Sequence, residues 1–339
     1  MRLVLGGYGD ALGVVDLAGG SFGMPRRVAP ADRPSWVVAS PDGRFVYAAL
    51  EREHGAVGAW AVGAGEAPWA ALGERPTGGA DPCHLALSPD GRHLLAANYS
   101  SGSVSVHPVS PDGSLGVATD LVQHSGQPGP VEDRQDGPHA HQVTFLDAST
   151  VLVCDLGLDA VIGYALSDAG RLTEVARSPF APGTGPRHLA LTPDGSTAIV
   201  LGELSSTLTV CSVDGAGLVL HSGTSTRGSR SGAGENTAAA VVVLAPGGDD
   251  THTVLATNRG DDTLAAFALG RAPHLSLEAT SIVGSGGRGP RFAGALPTGE
   301  LVVTNESSST VCVFAPDAHG WRQRDAITWP SPTCAAALN

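Results

Sequence analysis

Three kinds of side chain stand in this sequence where they could act together on one small molecule: histidine at His139 and His141, arginine at Arg187 and Arg259, and the carboxylate of Glu203. Guanidinium groups present paired N–H donors that match the oxygens of a phosphate or carboxylate, and imidazole and carboxylate groups take up and release protons. Held around one pocket, they would bind an anion and move a proton. Each also has an ordinary structural use. The arginines could be salt bridges between neighbouring elements with Glu203 as their partner. His84 and His188, both followed by Leu-Ala-Leu or Leu-Ala, could bond loop carbonyls. His139 and His141 alternate in a strand-like segment, so at most one of them is expected to face a common site. His-x-His is also a metal spacing, but no third ligand follows it at a suitable distance in sequence, and no metal is expected.

Grouping these residues is a task for the fold, and the sequence repeats itself in a way that does so. In Pro186 to Gly215 three short apolar runs, His188 to Leu191, Ala198 to Leu201 and Leu208 to Val213, are separated by Pro193-Asp194-Gly195 and by Leu204-Ser205-Ser206-Thr207. Runs this short, bounded by turn chemistry, read as antiparallel strands. Related units begin at Pro34, Pro82, Pro138, Pro186, about Asn236, Pro290 and Pro332. In the third the turn is reduced to Leu146-Asp147-Ala148-Ser149, and the fifth lacks the leading proline and carries an expanded Pro246 to Asp250 turn. The seventh is divided: Pro332 to Leu338 matches the opening of a unit, and Leu3 to Leu17 supplies its missing second half. A period of about 40–50 residues with several strands per unit predicts a propeller. The expected fold is therefore all-β: a seven-bladed β-propeller of four-stranded blades, one domain over residues 1–339, closed by pairing of the N- and C-terminal strands in one blade.

Aligning the units brings the candidate residues to two positions on one rim. Arg52, Tyr99, Leu156, Glu203, Arg259 and Glu306 fall where the second strand ends, and Cys83-His84, His139-Ala140-His141, Arg187-His188 and Arg291 where the first begins. Seven blades would carry these positions around an axial pocket. Composition suits such a fold: 46 Gly and 24 Pro beside 42% hydrophobic residues describe many turns between short buried strands. The formal charge of −13 argues against nucleic acid as a partner. The opening Met1-Arg2-Leu3-Val4-Leu5 lacks the apolar length of a signal peptide, and no run is long enough to span a membrane, so a cytoplasmic protein without membrane association is expected. Five cysteines in different repeats, without Cys-x-x-Cys spacing, read as buried free thiols.

Gly185-Pro186-Arg187-His188-Leu189, Glu203-Leu204-Ser205-Ser206-Thr207, Pro138-His139-Ala140-His141, Asp155-Leu156-Gly157 and Asn258-Arg259-Gly260 together resemble the motifs of the seven-bladed propeller lactonases, a family that includes bacterial 6-phosphogluconolactonases and fungal carboxymuconate cycloisomerases. The resemblance covers essentially the whole chain. It implies a catalytic set of His139 or His141, Arg187, Glu203 and Arg259, with Tyr99, His188, Arg291 and Glu306 completing the substrate site alongside the two arginines. It further implies hydrolysis of a sugar lactone such as 6-phosphogluconolactone, without a cofactor, by a monomer or weak homodimer. Arginines would bind the anionic group and the oxyanion while a histidine or Glu203 assists the attacking water. A glutamate beside two arginines is pushed to lower pKa, which favours histidine as the base and Glu203 as the positioning group. A muconate-type cycloisomerase and a non-catalytic binding propeller are the alternative functions.

Overall fold

The computed structural model describes residues 1–228, 234–244, 251–270, 275–317 and 320–338. Within them are strands and turns, and no helix long and apolar enough to cross a membrane. Seven antiparallel sheets stand around one axis, and their innermost strands are Pro34–Ala39, Pro82–Leu87, Ala140–Phe145, Pro186–Leu191, Thr237–Leu244, Pro290–Ala295 and Pro332–Leu338. We number the blades 1 to 7 in that order. Blade 4 shows the plan: Pro186–Leu191, Thr197–Gly202, Thr207–Asp214 and Gly217–Ser225 follow one another outward. The second strand is flanked within its sheet and covered by the blades on either side. It therefore reads as a continuous apolar run, TAIVLG or HLLAAN, buried at every residue, while outer strands such as Leu172–Pro179 are largely exposed.

Blade 7 closes the ring as the divided repeat predicts. Pro332–Leu338 is its inner strand and pairs with Arg2–Gly7, which pairs with Ala11–Ala18 and through it with Arg26–Pro30. Two-residue Ser21–Phe22 adds a short fifth strand beside Ala11–Ala18. The hydrophobic clusters lie between blades rather than within them. Leu3 and Leu5 of blade 7 pack with Val46 and Leu50 of blade 1 and with Val311 and Val313 of blade 6. Turn chemistry survives where its sequence signature is weakened: in the Leu146-Asp147-Ala148-Ser149 turn the Asp147 carboxylate accepts the Ser149 and Thr150 N–H groups at 2.7 and 2.8 Å, much as Asp42, Asp90 and Asp194 accept the N–H two residues on at 3.1 Å. The expanded turn at 246–250, and residues 229–233 of the polar tract before blade 5, lie outside the described residues.

Two backbone features decide what faces the axis. Every inner strand carries a register break near its start. The pairing steps from Pro34 to Trp36, Pro82 to His84, Ala140 to Gln142, Pro186 to His188, Pro290 to Phe292 and Pro332 to Cys334. Ser35, Cys83, His141, Arg187, Arg291 and Thr333 are thus bulge residues, freed from the ladder and re-aimed. Second, in six of the seven blades the residue after the second strand is fixed by its own N–H. Tyr8, Glu51, Tyr99, Leu156, Glu203 and Glu306 donate to Ser331, Arg33, Asp81, His139, Gly185 and Gly289, in each case the residue just before the inner strand. Five of those acceptors take positive φ, and glycine fills two of the positions, Gly185 and Gly289, at φ 61° and 69°. The exit position of blade 1 is consequently Glu51 and not Arg52, because a one-residue slip moves a side chain to the other face.

Ring closure makes a measurable demand on blade 7. Leu5 is fully buried and pairs with Ala335 across the closing ladder. Leu5→Ala should lower the unfolding free energy by about 2–5 kcal/mol, read from the urea midpoint at unchanged m-value.

Candidate active site

Bulge residues Cys83, His141 and Arg291, exit residues Glu51, Tyr99, Glu203 and Arg259, and the loop residue Arg134 line an axial pocket of about 230 Å³. Its organising group is Glu203, 2% exposed. Oε1 accepts a hydrogen bond from Arg134 Nη2 at 2.6 Å, and Oε2 lies 2.8 Å from Arg187 Nε and 2.9 Å from Arg259 Nη2. Burial alone would raise the Glu203 pKa, but Arg259, Arg187 and Arg134 outweigh it and bring it down to about 2. The carboxylate is ionised throughout the physiological range, and both its oxygens are occupied. Three guanidiniums around one carboxylate leave positive charge in excess on this side of the pocket.

Arg187 is held from below. Its Nη1 donates to the Ala239 carbonyl and lies 3.2 Å from His188 Nε2. The passage from blade 4 to blade 5 is open because Ala238, Ala239 and Ala240, where blade 5 has its own wider register break, present only methyl groups. Burial, and then Arg259, lower the pKa of Arg187, against the pull of Glu203. Beneath the arginines the axial channel is filled by rings. Trp36 lies 4.1 Å from His84 and 5.5 Å from His188, and His84 and His188 are 5.6 Å apart. Burial first and Arg187 second lower the pKa of His84 to about 3 and that of His188 well below its ordinary value. Both are therefore neutral packing groups under a cationic layer.

The two histidines of Pro138-His139-Ala140-His141 part company at the bulge. His141 lines the pocket, and burial followed by Arg187, Arg291 and Arg259 lowers its pKa well below the usual value, so its ring is neutral. Its Nδ1 lies 3.8 Å from Cys83 Sγ. His139 precedes the strand and stacks on Tyr99 at 4.5 Å, with Nδ1 3.0 Å from the Tyr99 carbonyl and Nε2 2.9 Å from Asp136 Oδ1. Acceptors face both its ring nitrogens, so it buttresses Tyr99 and leaves no nitrogen for a reactant. On the opposite wall Tyr8 donates its hydroxyl to Glu51 Oε1 at 2.8 Å, and Arg291 lies 3.6 Å from Glu306. Among the described residues no three His, Cys, Asp or Glu side chains converge on a metal position.

A family model, "Lactonase, 7-bladed beta-propeller", matches residues 3–336. The chain belongs to that family. A 6-phosphogluconolactonase of Bacillus subtilis is 29% identical over 93% of this chain and 90% of its own. The structure of a Pseudomonas aeruginosa periplasmic gluconolactonase superposes with a TM-score of 0.88 at 27% identity, covering 100% of this chain and 99% of that one. A protein from Lactobacillus plantarum superposes equally well, with a TM-score of 0.88 at 28% identity over 98% of each chain.

Within this family frame the structure sorts the expected residues. His141, Glu203, Arg259, Tyr99 and Arg291 line the pocket. Arg187 lies behind Glu203, His188 beneath it, His139 behind Tyr99 and Glu306 against Arg291. Arg52 is off the pocket, in ion pairs with Asp32 at 3.4 Å and Glu74 at 2.6 Å. Three groups escaped the repeat alignment, which had brought Cys83 to the rim. Glu51 and Tyr8 take exit positions of blades 1 and 7, and Arg134 a loop between blades 2 and 3. The signal for Tyr8 lay in the sequence, in the N-terminal half-repeat; Arg134 had none, being outside the repeats.

The cluster yields a prediction about stability and pH. Because the folded-state pKa of Glu203 is depressed to about 2, its contribution is complete above its unfolded value and is lost as pH falls through about 2. Glu203→Gln should cost about 3–5 kcal/mol at pH 7 by leaving three guanidiniums uncompensated. The wild-type advantage, followed by urea unfolding, should narrow steadily below pH 4.

Proposed function

We propose that the protein is a lactonase that hydrolyses an anionic sugar lactone, with 6-phosphogluconolactone the best-fitting substrate class. The observation that carries this reading is the excess of guanidinium charge around Glu203 in a pocket closed below by tightly packed rings. Such a pocket suits a compact ligand that brings its own negative charge. The names of the Bacillus and Pseudomonas relatives point to the same chemistry.

In this reading Arg134 and Arg259, which reach the pocket surface, receive the anionic group and the carbonyl oxygen. Their N–H donors then stabilise the oxyanion that forms when water attacks. Arg187 remains buried and sets the orientation of Glu203. Glu203 positions the guanidiniums; a carboxylate with a pKa of about 2 and no free oxygen is unsuited to accept a proton. His141, neutral and at the pocket wall, accepts a hydrogen bond from the attacking water and orients it. Tyr99, backed by His139, forms the face against which the sugar ring rests.

The test is the rate of 6-phosphoglucono-δ-lactone hydrolysis at neutral pH, measured above the spontaneous rate. Wild type should show a clear excess, and Arg259→Ala should lose about 10²–10³ of it, as expected for one oxyanion donor. No excess at micromolar enzyme would overturn the phosphogluconolactonase reading and direct the same assay to unphosphorylated lactones and muconates.

A further inference from the structure

The pocket has two walls, and the chemistry so far uses one of them. On the other stands a carboxylate whose circumstances are the reverse of Glu203's. Glu51 Oε1 accepts the Tyr8 hydroxyl at 2.8 Å, while Oε2 is buried and has no hydrogen-bond partner. A buried carboxylate oxygen without a donor is costly, and in a folded protein such a group calls for a functional explanation. The neighbouring acidic groups do not share this state: Glu203 is engaged at both oxygens, Glu306 lies on Arg291, and Asp136 lies on His139.

Glu51 is also held as firmly as a reacting group needs to be. Its N–H donates to the Arg33 carbonyl at 3.1 Å, and its own carbonyl accepts Arg33 Nε at 2.7 Å. Tyr8, which fixes Oε1, is clamped in turn. The Arg33 and Arg291 guanidiniums lie 4.5 and 5.3 Å from its ring centroid, and its N–H donates to Ser331. One carboxylate oxygen is thus locked in place by its partner, the other has no donor, and the side chain lines the pocket.

We propose that Glu51 carries the proton through lactone hydrolysis, with Tyr8 as the residue that positions it. This assignment rests on the lactonase reading. As a water molecule attacks the carbonyl carbon, its O–H bond breaks and the proton passes to the Glu51 carboxylate at the pocket wall. The carbonyl π pair moves to the oxygen that faces Arg134 and Arg259. When the tetrahedral intermediate collapses, the bond from the carbonyl carbon to the ring oxygen breaks. That oxygen takes the proton from Glu51, which returns to its carboxylate form. The product is the open-chain hydroxy acid, and no other reactant is required.

The experiment compares wild type, E51Q, E51A, Y8F and R259A in lactone hydrolysis, on phosphorylated and unphosphorylated gluconolactone. Binding of inorganic phosphate reports whether the arginine wall is intact. E51Q should lose about 10²–10⁴ in kcat at unchanged KM, the range for a general acid–base group, and bind phosphate at least as tightly as wild type. Added formate should restore part of the activity of E51A. Y8F should lose about tenfold in kcat at unchanged KM, as for one hydrogen bond of about 1.4 kcal/mol, and should add nothing further in an E51Q background. E51Q activity within threefold of wild type, while R259A is impaired, would overturn the assignment and leave the lactonase reading standing. Loss of phosphate binding together with activity in E51Q would also overturn it, since Glu51 would then be holding the pocket together. A wild type inactive on both lactones would overturn the lactonase reading and the assignment with it.

Discussion

One carboxylate buried among three guanidiniums is the constraint around which the rest of the axial site is arranged. Removing four charges from water costs more than an isolated ion pair recovers, so such a cluster persists only when its geometry is close to ideal and its surroundings cannot relax. The surroundings here meet both conditions. Glu203 follows a strand buried at every residue, and its N–H is fixed to Gly185. Arg187 leaves a bulge and runs into space left by three alanines. The excess positive charge has no outlet below, where the histidines are kept neutral by their burial and by that same charge. An anionic ligand arriving from the open side would supply what the cluster lacks.

The bulge in each inner strand is the device that makes this possible. In a regular ladder alternate residues point to opposite faces, and no strand can present two successive side chains to one channel. With one residue freed from the ladder, Cys83 and His84, or Arg187 and His188, both turn inward at successive depths. Cys83 and His141 meet the pocket and Arg187 stands behind Glu203, while His84 and His188 fill the channel below. Charged groups and ring packing thereby become two layers of one axial stack, and the lower layer braces the upper.

This geometry also explains which parts of the molecule were legible in the sequence. Short apolar runs, Asp-containing turns and a divided seventh repeat specify the blades and their closure, since all are local patterns or periodicities. Arg187, Arg259 and Glu203 were legible because they keep the repeat's phase. Glu51 was missed because Glu51 and Arg52 are adjacent charged residues at the end of an apolar run, and alignment of apolar residues does not resolve a one-residue slip. The backbone hydrogen bond to Arg33 does. His139 and His141 could not be told apart by alternation, because the bulge falls at His141 itself and their different fates depend on it. Arg134 lies in a loop between blades, where no periodicity speaks for any residue.

Closure of the ring by the terminal strands has a consequence for the site as well as for stability. Tyr8 follows the strand that pairs with Pro332–Leu338, and its N–H is bound to Ser331, so its ring is in place only when the two ends of the chain have met. Its hydroxyl meets Glu51, which stands on the next blade. Glu203 stands on blade 4, far from the closure in sequence. The two walls of the pocket therefore differ in what assembles them: the arginine wall by packing of consecutive blades, and the Glu51 wall by the final pairing of the termini. Local opening is easiest where a structure is joined by its ends. Fraying of the last strand would release Tyr8 and loosen Glu51 while the guanidiniums around Glu203 stayed in register. Integrity of the closing ladder is on this account a condition for a complete site, and the conformational cost of closing the ring is coupled to the organisation of the pocket.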